Sequence, residues 1–115
     1  MTDTFIKLPE PSYKEKSSFA LTVYFRDSAD AAEAPTTVDY RIDDIDRRES
    51  ITGWTSVTPG VSVSITVTAN ENRMLNHSFL REKRQITVSA DKGLDGETRD
   101  TIQWYVENIQ GWDET

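Results

Sequence analysis

Apolar and polar residues alternate with a period of two over most of the chain. Phe19, Leu21, Val23 and Phe25 alternate with Ala20, Thr22 and Tyr24, which is the pattern of a strand with one face in a core. Val38, Tyr40 and Ile42 alternate with Thr37, Asp39, Arg41 and Asp43, a half-buried strand with a charged outer face. Val61, Val63, Ile65 and Val67 stand against Ser62, Ser64, Thr66 and Thr68; branched side chains suit a pleated surface and disfavour a helix. Ile86, Val88 and Ala90 continue the theme, as do Ile102, Trp104 and Val106. Shorter stretches at Ile51–Trp54 and Thr4–Leu8 predict further strands.

The breaks fall where turn chemistry places them. Asp27 to Pro35 is small and polar, and Pro35 stops any continuation. Thr58-Pro59-Gly60 reads as a tight turn, and Asp91 to Gly96, with two glycines, as a hairpin loop. Asn70 to Ser78 is the longest polar connection and has room for a short helical turn around Met74 and Leu75. About seven short strands at this spacing predict an all-β sandwich or barrel. No helical stretch is long enough for an α/β fold. Residues 18–109 form the predicted domain. Residues 1–17, with Pro9 and Pro11, read as an extended arm or a first strand, and residues 110–115 as a tail carrying Trp112.

The chain of 115 residues fits one domain. It carries 20 acidic and 13 basic residues, a net charge of −7, which disfavours binding to nucleic acid. No apolar run approaches the ~20 residues that span a bilayer. The start, MTDTFIKLPEP, lacks the pattern of a secretory signal. With no cysteine, disulfides and thiolate metal sites are excluded.

Catalytic chemistry finds few supports. His77 is the only histidine, and no GxSxG elbow accompanies it; a solvated loop residue is the simpler reading. Neither GxGxxG nor GxxxxGK[ST] occurs. Two acidic groups, Asp43, Asp44 and Asp46 at a strand end and Asp91, Asp95, Glu97 and Asp100 about the hairpin, have the oxygen chemistry of a calcium loop. Arg47, Arg48, Lys92 and Arg99 are interleaved with them, which favours charged loops that keep strand edges soluble. The run Arg81, Lys83 and Arg84 beside Glu82 reads as a solvated edge strand. Trp54 and Trp104 read as core. Trp112 either folds over the end of the domain or is presented to a partner, and Tyr13 is open in the same way.

The stretch PTTVDYRIDDIDRRESITGWTSVTPGVSVSITVTANENRMLN, residues 35–76, resembles small immunoglobulin-like or fibronectin-III-like structural proteins of tailed bacteriophages. The resemblance rests on Tyr40 to Asp44, on Ile51 and Trp54, on Thr58-Pro59 opening the Val61–Val67 strand, and on Asn72-Arg73. RQITVSAD and TIQWYVENI fit the last two strands. The resemblance implies a single antiparallel β-sandwich of about seven strands and a non-enzymatic component of the virion, made in the host cytoplasm. Its partners would be capsid, neck or tail proteins, with neither nucleic acid nor membrane among them and a homo-oligomer left open. No catalytic residue, cofactor or metal comes with it. Tyr13, Asp43, Asp44, Asp46 and Trp112 are the expected contact residues. The alternative is a carbohydrate- or cell-surface-binding module, for which Tyr24 and Tyr105 offer an aromatic pair.

Overall fold

A computed structural model describes residues 3–7, 12–75, 79–94 and 96–108. Over these residues the chain is an all-β sandwich of eight strands: β1 (Asp3–Lys7), β2 (Ser12–Lys14), β3 (Phe19–Arg26), β4 (Val38–Asp44), β5 (Glu49–Val57), β6 (Ser62–Val67), β7 (Arg81–Ala90) and β8 (Thr98–Glu107). One sheet has the order β1-β3-β6 and the other β2-β8-β7-β4-β5. All neighbours run antiparallel except β2, which lies parallel to β8. Hairpins join β4 to β5 and β7 to β8, while the β3–β4 and β5–β6 connections cross between the sheets. This is the connectivity of an immunoglobulin-like sandwich.

The alternation seen in the sequence decides which side chains meet between the sheets. Leu21, Val23 and Phe25 of β3 and Val63, Ile65 and Val67 of β6 face Val38 and Ile42 of β4, Ile86, Val88 and Ala90 of β7, and Trp104 and Val106 of β8. Val63 and Ile65 retain 7% and 2% of their exposure, so the central strand pattern holds. A fully buried side chain of this size is worth about 1.5–3 kcal/mol against exposure. The predicted DKGLDG hairpin forms, with Asp91 and Gly93 at positive φ of 57° and 83°. A single helical-type turn does form at the Asn70–Ser78 connection, but at its start rather than around Met74 and Leu75: the Asn72 N–H donates to Thr68 O four residues back and to Ala69 O.

Three features depart from the sequence expectations. The N-terminal segment, where Thr4–Leu8 predicts one strand, supplies two, one to each sheet: β1 pairs with β3, and β2 with β8. The β2 strand is only three residues long and carries no alternation that a period count could find. Next, β7 is a central strand, flanked by β8 and β4, not the solvated edge read from Arg81 to Arg84. Finally, Trp54 lies half-buried on the outer face of the five-stranded sheet and is not part of the core. The β4–β5 register shifts on either side of Ile42↔Thr52. Such an irregularity re-aims side chains. Ser56 lies opposite the outward Asp39, so Trp54, two residues along, shares its outer face.

Candidate interaction site

The two ends of the sandwich are built differently, and the end holding the β4–β5 turn concentrates the unusual chemistry. In register, Asp44 of β4 lies beside Arg84 of β7, and Arg84 beside Trp104 of β8. All three point into the core. Arg84 and Asp44 are 0% exposed, and Glu82, two residues earlier on the same face of β7, is 2% exposed. Arg84 Nη1 donates to Asp44 Oδ2 at 3.1 Å and to Glu82 Oε1 at 3.0 Å. Its Nη2 donates to the Arg73 carbonyl. The guanidinium of Arg47 stands at the rim, with Nε 3.7 Å from Glu82 Oε2. Among the described residues, two carboxylates thus face two guanidinium groups.

A buried pair of this kind is held by geometry more than by net energy, because desolvating each ion costs several kcal/mol. Here the ions also tie down loops. The Asp44 carboxylate accepts the Arg47 N–H at 3.0 Å, closing the β4–β5 turn. Glu82 accepts the Leu75 N–H at 2.9 Å, and Arg84 holds the Arg73 carbonyl, so the β6–β7 connection is fixed at both positions. Asn72 completes the arrangement. Its Oδ1 accepts the Trp104 indole N–H at 2.9 Å, its Nδ2 donates to Ser17 O at 3.0 Å, and its own carbonyl accepts the Lys16 N–H. Among the described residues, Arg84 Nε is the buried side-chain atom without a hydrogen-bond partner.

The expected contact residues divide among these roles. Asp44 is interior and belongs to the ion cluster. Asp43 faces outward and chelates the Arg41 guanidinium at 2.7 and 3.0 Å. Asp46 is exposed and accepts the Lys83 N–H at 3.1 Å. Tyr13 stacks face to face on Phe19, with centroids 3.8 Å apart, and Phe19 meets Trp104 edge-on. Trp112 lies outside the described residues, as do His77 and Asp95. The structure therefore brings Asp43, Asp44 and Asp46 together at one corner and makes two of them partners of arginines.

The hairpin carboxylates have similar employment. Asp91 Oδ1 accepts the N–H groups of Thr36 and Thr37 at 2.6 and 3.1 Å. Asp100 accepts the Ile6 N–H at 3.2 Å. Glu97 accepts hydrogen bonds from Ser89, Arg99 and the Gly93 N–H, which together lower its carboxyl from 4.5 to about 2, the Ser89 hydroxyl contributing most. Among the described residues, no group of three or more histidines and carboxylates is arranged to hold a metal ion.

What the structure adds is an apolar patch on the same end. Phe79 and Leu80 precede β7 and are 52% and 88% exposed. A surface depression of about 420 Å³ lies beside them, lined by Leu80, Arg81, Glu107 and Asn108. The Arg47 guanidinium sits 6.0 Å from the Phe79 ring, which joins the patch to the Asp46 turn. The sequence signal for it was a pair of adjacent bulky apolar residues just before a strand, since neighbours in extended chain cannot both face one core.

On the outer face of the five-stranded sheet, Trp54 is ringed by Arg41, Lys92 and Arg99 at 5.8, 5.0 and 5.2 Å, and Tyr105 lies under Arg81 at 4.1 Å. Tyr24 projects from the opposite sheet, alternating with buried Val23 and Phe25. Tyr24 and Tyr105 thus occupy opposite outer faces of the sandwich and cannot form one platform. Models of protein families give no match to this chain, and neither do curated proteins.

Proposed function

We propose that this protein is a non-enzymatic structural and interaction module, a minor component of a tailed-phage virion that acts by protein–protein contact. The observation that carries the reading is the Phe79–Leu80 patch, a bulky apolar surface beside the Asp46 turn on an otherwise polar end. Exposed apolar surface rimmed by charge is characteristic of protein contact sites. The virion assignment is supported by the resemblance of residues 35–76, which form β4, β5, β6 and part of the connection that the buried ions hold. Contact would be made by the rigid end, with Leu80 and Phe79 entering an apolar recess and Asp46 at the rim.

Co-sedimentation of purified protein with phage particles tests this. Leu80→Asp with Phe79→Ser should abolish co-sedimentation while leaving the circular dichroism spectrum unchanged. Retention of the double variant on particles at wild-type level would overturn the assigned contact surface. Failure of the wild type to associate with virions or their isolated proteins would overturn the virion reading itself.

A further inference from the structure

Among the described residues the sandwich has four edge strands, and three are protected against pairing with another chain. In β1 the Ile6 N–H is taken by the Asp100 carboxylate, and the strand is bounded in sequence by Asp3 and Lys7. β2 is three residues long and ends on Lys14. β5 begins at Glu49 and carries two register shifts. Short strands, charges and bulges are the usual defences of a sheet edge. Within Ser62–Val67 β6 has none of them, and a device of this kind lies past its end, where the Glu71 carboxylate accepts the Thr68 N–H at 2.9 Å. From Val61 to Asn70 the sequence VSVSITVTAN contains neither charge nor proline, and its pairing with β3 runs without a register shift from Phe19↔Val67 to Tyr24↔Ser62.

The hydrogen-bond phase shows which backbone groups lie open. The Phe25 N–H donates to Val61 O at 3.1 Å, so Val61, Val63, Ile65 and Val67 form the hydrogen-bonded pairs with β3. In an antiparallel ladder the intervening residues direct N–H and C=O to the other side. Ser62, Ser64 and Thr66 therefore present their backbone groups to the free edge, and among the described residues no hydrogen bond reaches those groups. Their side chains are exposed as well.

We propose that β6 is a homodimerisation edge, at which a second copy adds its own β6 antiparallel about a two-fold axis through Ser64. The inference stands apart from the virion reading. The strand is self-complementary in this register. Ser64 meets Ser64 of the second copy, Ser62 meets Thr66, and every outward backbone group finds a partner. On the inner face Val63 comes beside Ile65 and Val61 beside Val67, which covers Val61, now 49% exposed. No charge opposes a charge across the seam. The three-stranded sheet becomes six-stranded, β1-β3-β6-β6-β3-β1, and the contact is isologous as two-fold symmetry requires. A strand-to-strand seam is small beside the usual interface, and each chain brings a net charge of −7. Association is accordingly weak, and salt strengthens it by screening that repulsion.

Sedimentation equilibrium over a protein concentration series tests the proposal. The expected result is a mass rising toward twice 13.1 kDa, at lower protein concentration in about 0.5 M than in about 0.05 M sodium chloride. Ser64→Lys places two like charges at the axis and leaves the fold unaltered, since the side chain is already in solvent; it should remain monomeric. Because the chain has no cysteine, Ser64→Cys reports the register. Its copies lie about 5.5 Å apart across the axis and should join with a short thiol cross-linker. Ser62→Cys copies, offset by four residues, lie about 14 Å apart and should not join. A monomer at every concentration, a Ser64→Lys variant that dimerises like wild type, or equal cross-linking of both cysteine variants would each overturn the proposal.

Discussion

The two halves of the core solve one packing problem in different ways. Toward the β7–β8 hairpin, Phe25, Val38, Val63, Val88 and Ala90 fill most of the space between the sheets with carbon, and the polar groups there, Thr4, Thr98 and Asp100, are neutral or singly charged and contain no ion pair among the described residues. Toward the β4–β5 turn, the same inward positions of the same strands carry Asp44, Glu82 and Arg84, with Trp104 bonded to Asn72. The apolar half gains stability in proportion to area removed from water. The ionic half gains little net energy from burying charge, but it fixes three connections that side-chain packing would leave free. That end is also where Phe79 and Leu80 are displayed. A polar core beneath the proposed contact surface holds its loops by directional bonds.

The comparison is broken most sharply at Asp44. Asp44→Ala leaves the Arg84 guanidinium buried beside a single remaining carboxylate and should cost about 3–5 kcal/mol, read as a shift in the urea midpoint. The triple variant Asp44→Leu, Glu82→Gln, Arg84→Met removes the ions together and should recover most of that loss. If Asp44→Ala costs no more than a surface substitution, roughly 0.5 kcal/mol or less, the ionic half is not buried as described. Next comes Trp104→Phe, which keeps an aromatic ring on Phe19 but strands the Asn72 side-chain Oδ1; a loss of about 1–3 kcal/mol is expected by the same readout. Asn72→Leu in that background should regain part of it.

The smallest effect belongs to the apolar half, at its hairpin. Glu97 has its carboxyl lowered to about 2 in the folded chain, below its value when unfolded. The stability it contributes is therefore present above about pH 4.5 and is lost as pH falls toward 2. Glu97→Gln should flatten the dependence of melting temperature on pH in that window, with a melting temperature below wild type near neutrality and a difference that closes as pH falls toward 2. An identical acid slope in both proteins would show that the Ser89 and Arg99 bonds do not form.

Much of the fold was legible because strands are read by parity. Val38, Tyr40 and Ile42 place even positions of β4 inward, and Ile86, Val88 and Ala90 do the same for β7. Continuing either count one step reaches Asp44 and Arg84, opposite charges on neighbouring strands with the same inward parity. The ion pair is thus written in the phase of the sequence, while the charges of Arg81 to Arg84 taken by themselves point to solvent, where Arg84 does not lie. Other features carried no such signal. The irregular β4–β5 register breaks the count before Trp54, and β2 is too short to show a period. The Asp43–Asp46 corner was visible as a cluster, yet which carboxylate turns inward depends on where β4 ends, and that is set by the tertiary pairing with β7.

Residue-resolved hydrogen exchange in dilute solution tests the central claim most directly, namely that β7 with its buried arginine is the middle of one sheet and β6 is the open rim of the other. The amides from Arg84 to Ala90 should exchange only with global unfolding, since strands flank them on both sides. Along β6, protection should alternate, with Val63, Ile65 and Val67 slow and Ser62, Ser64 and Thr66 fast. Rapid exchange at Arg84, or uniform protection from Ser62 to Val67, would contradict the account.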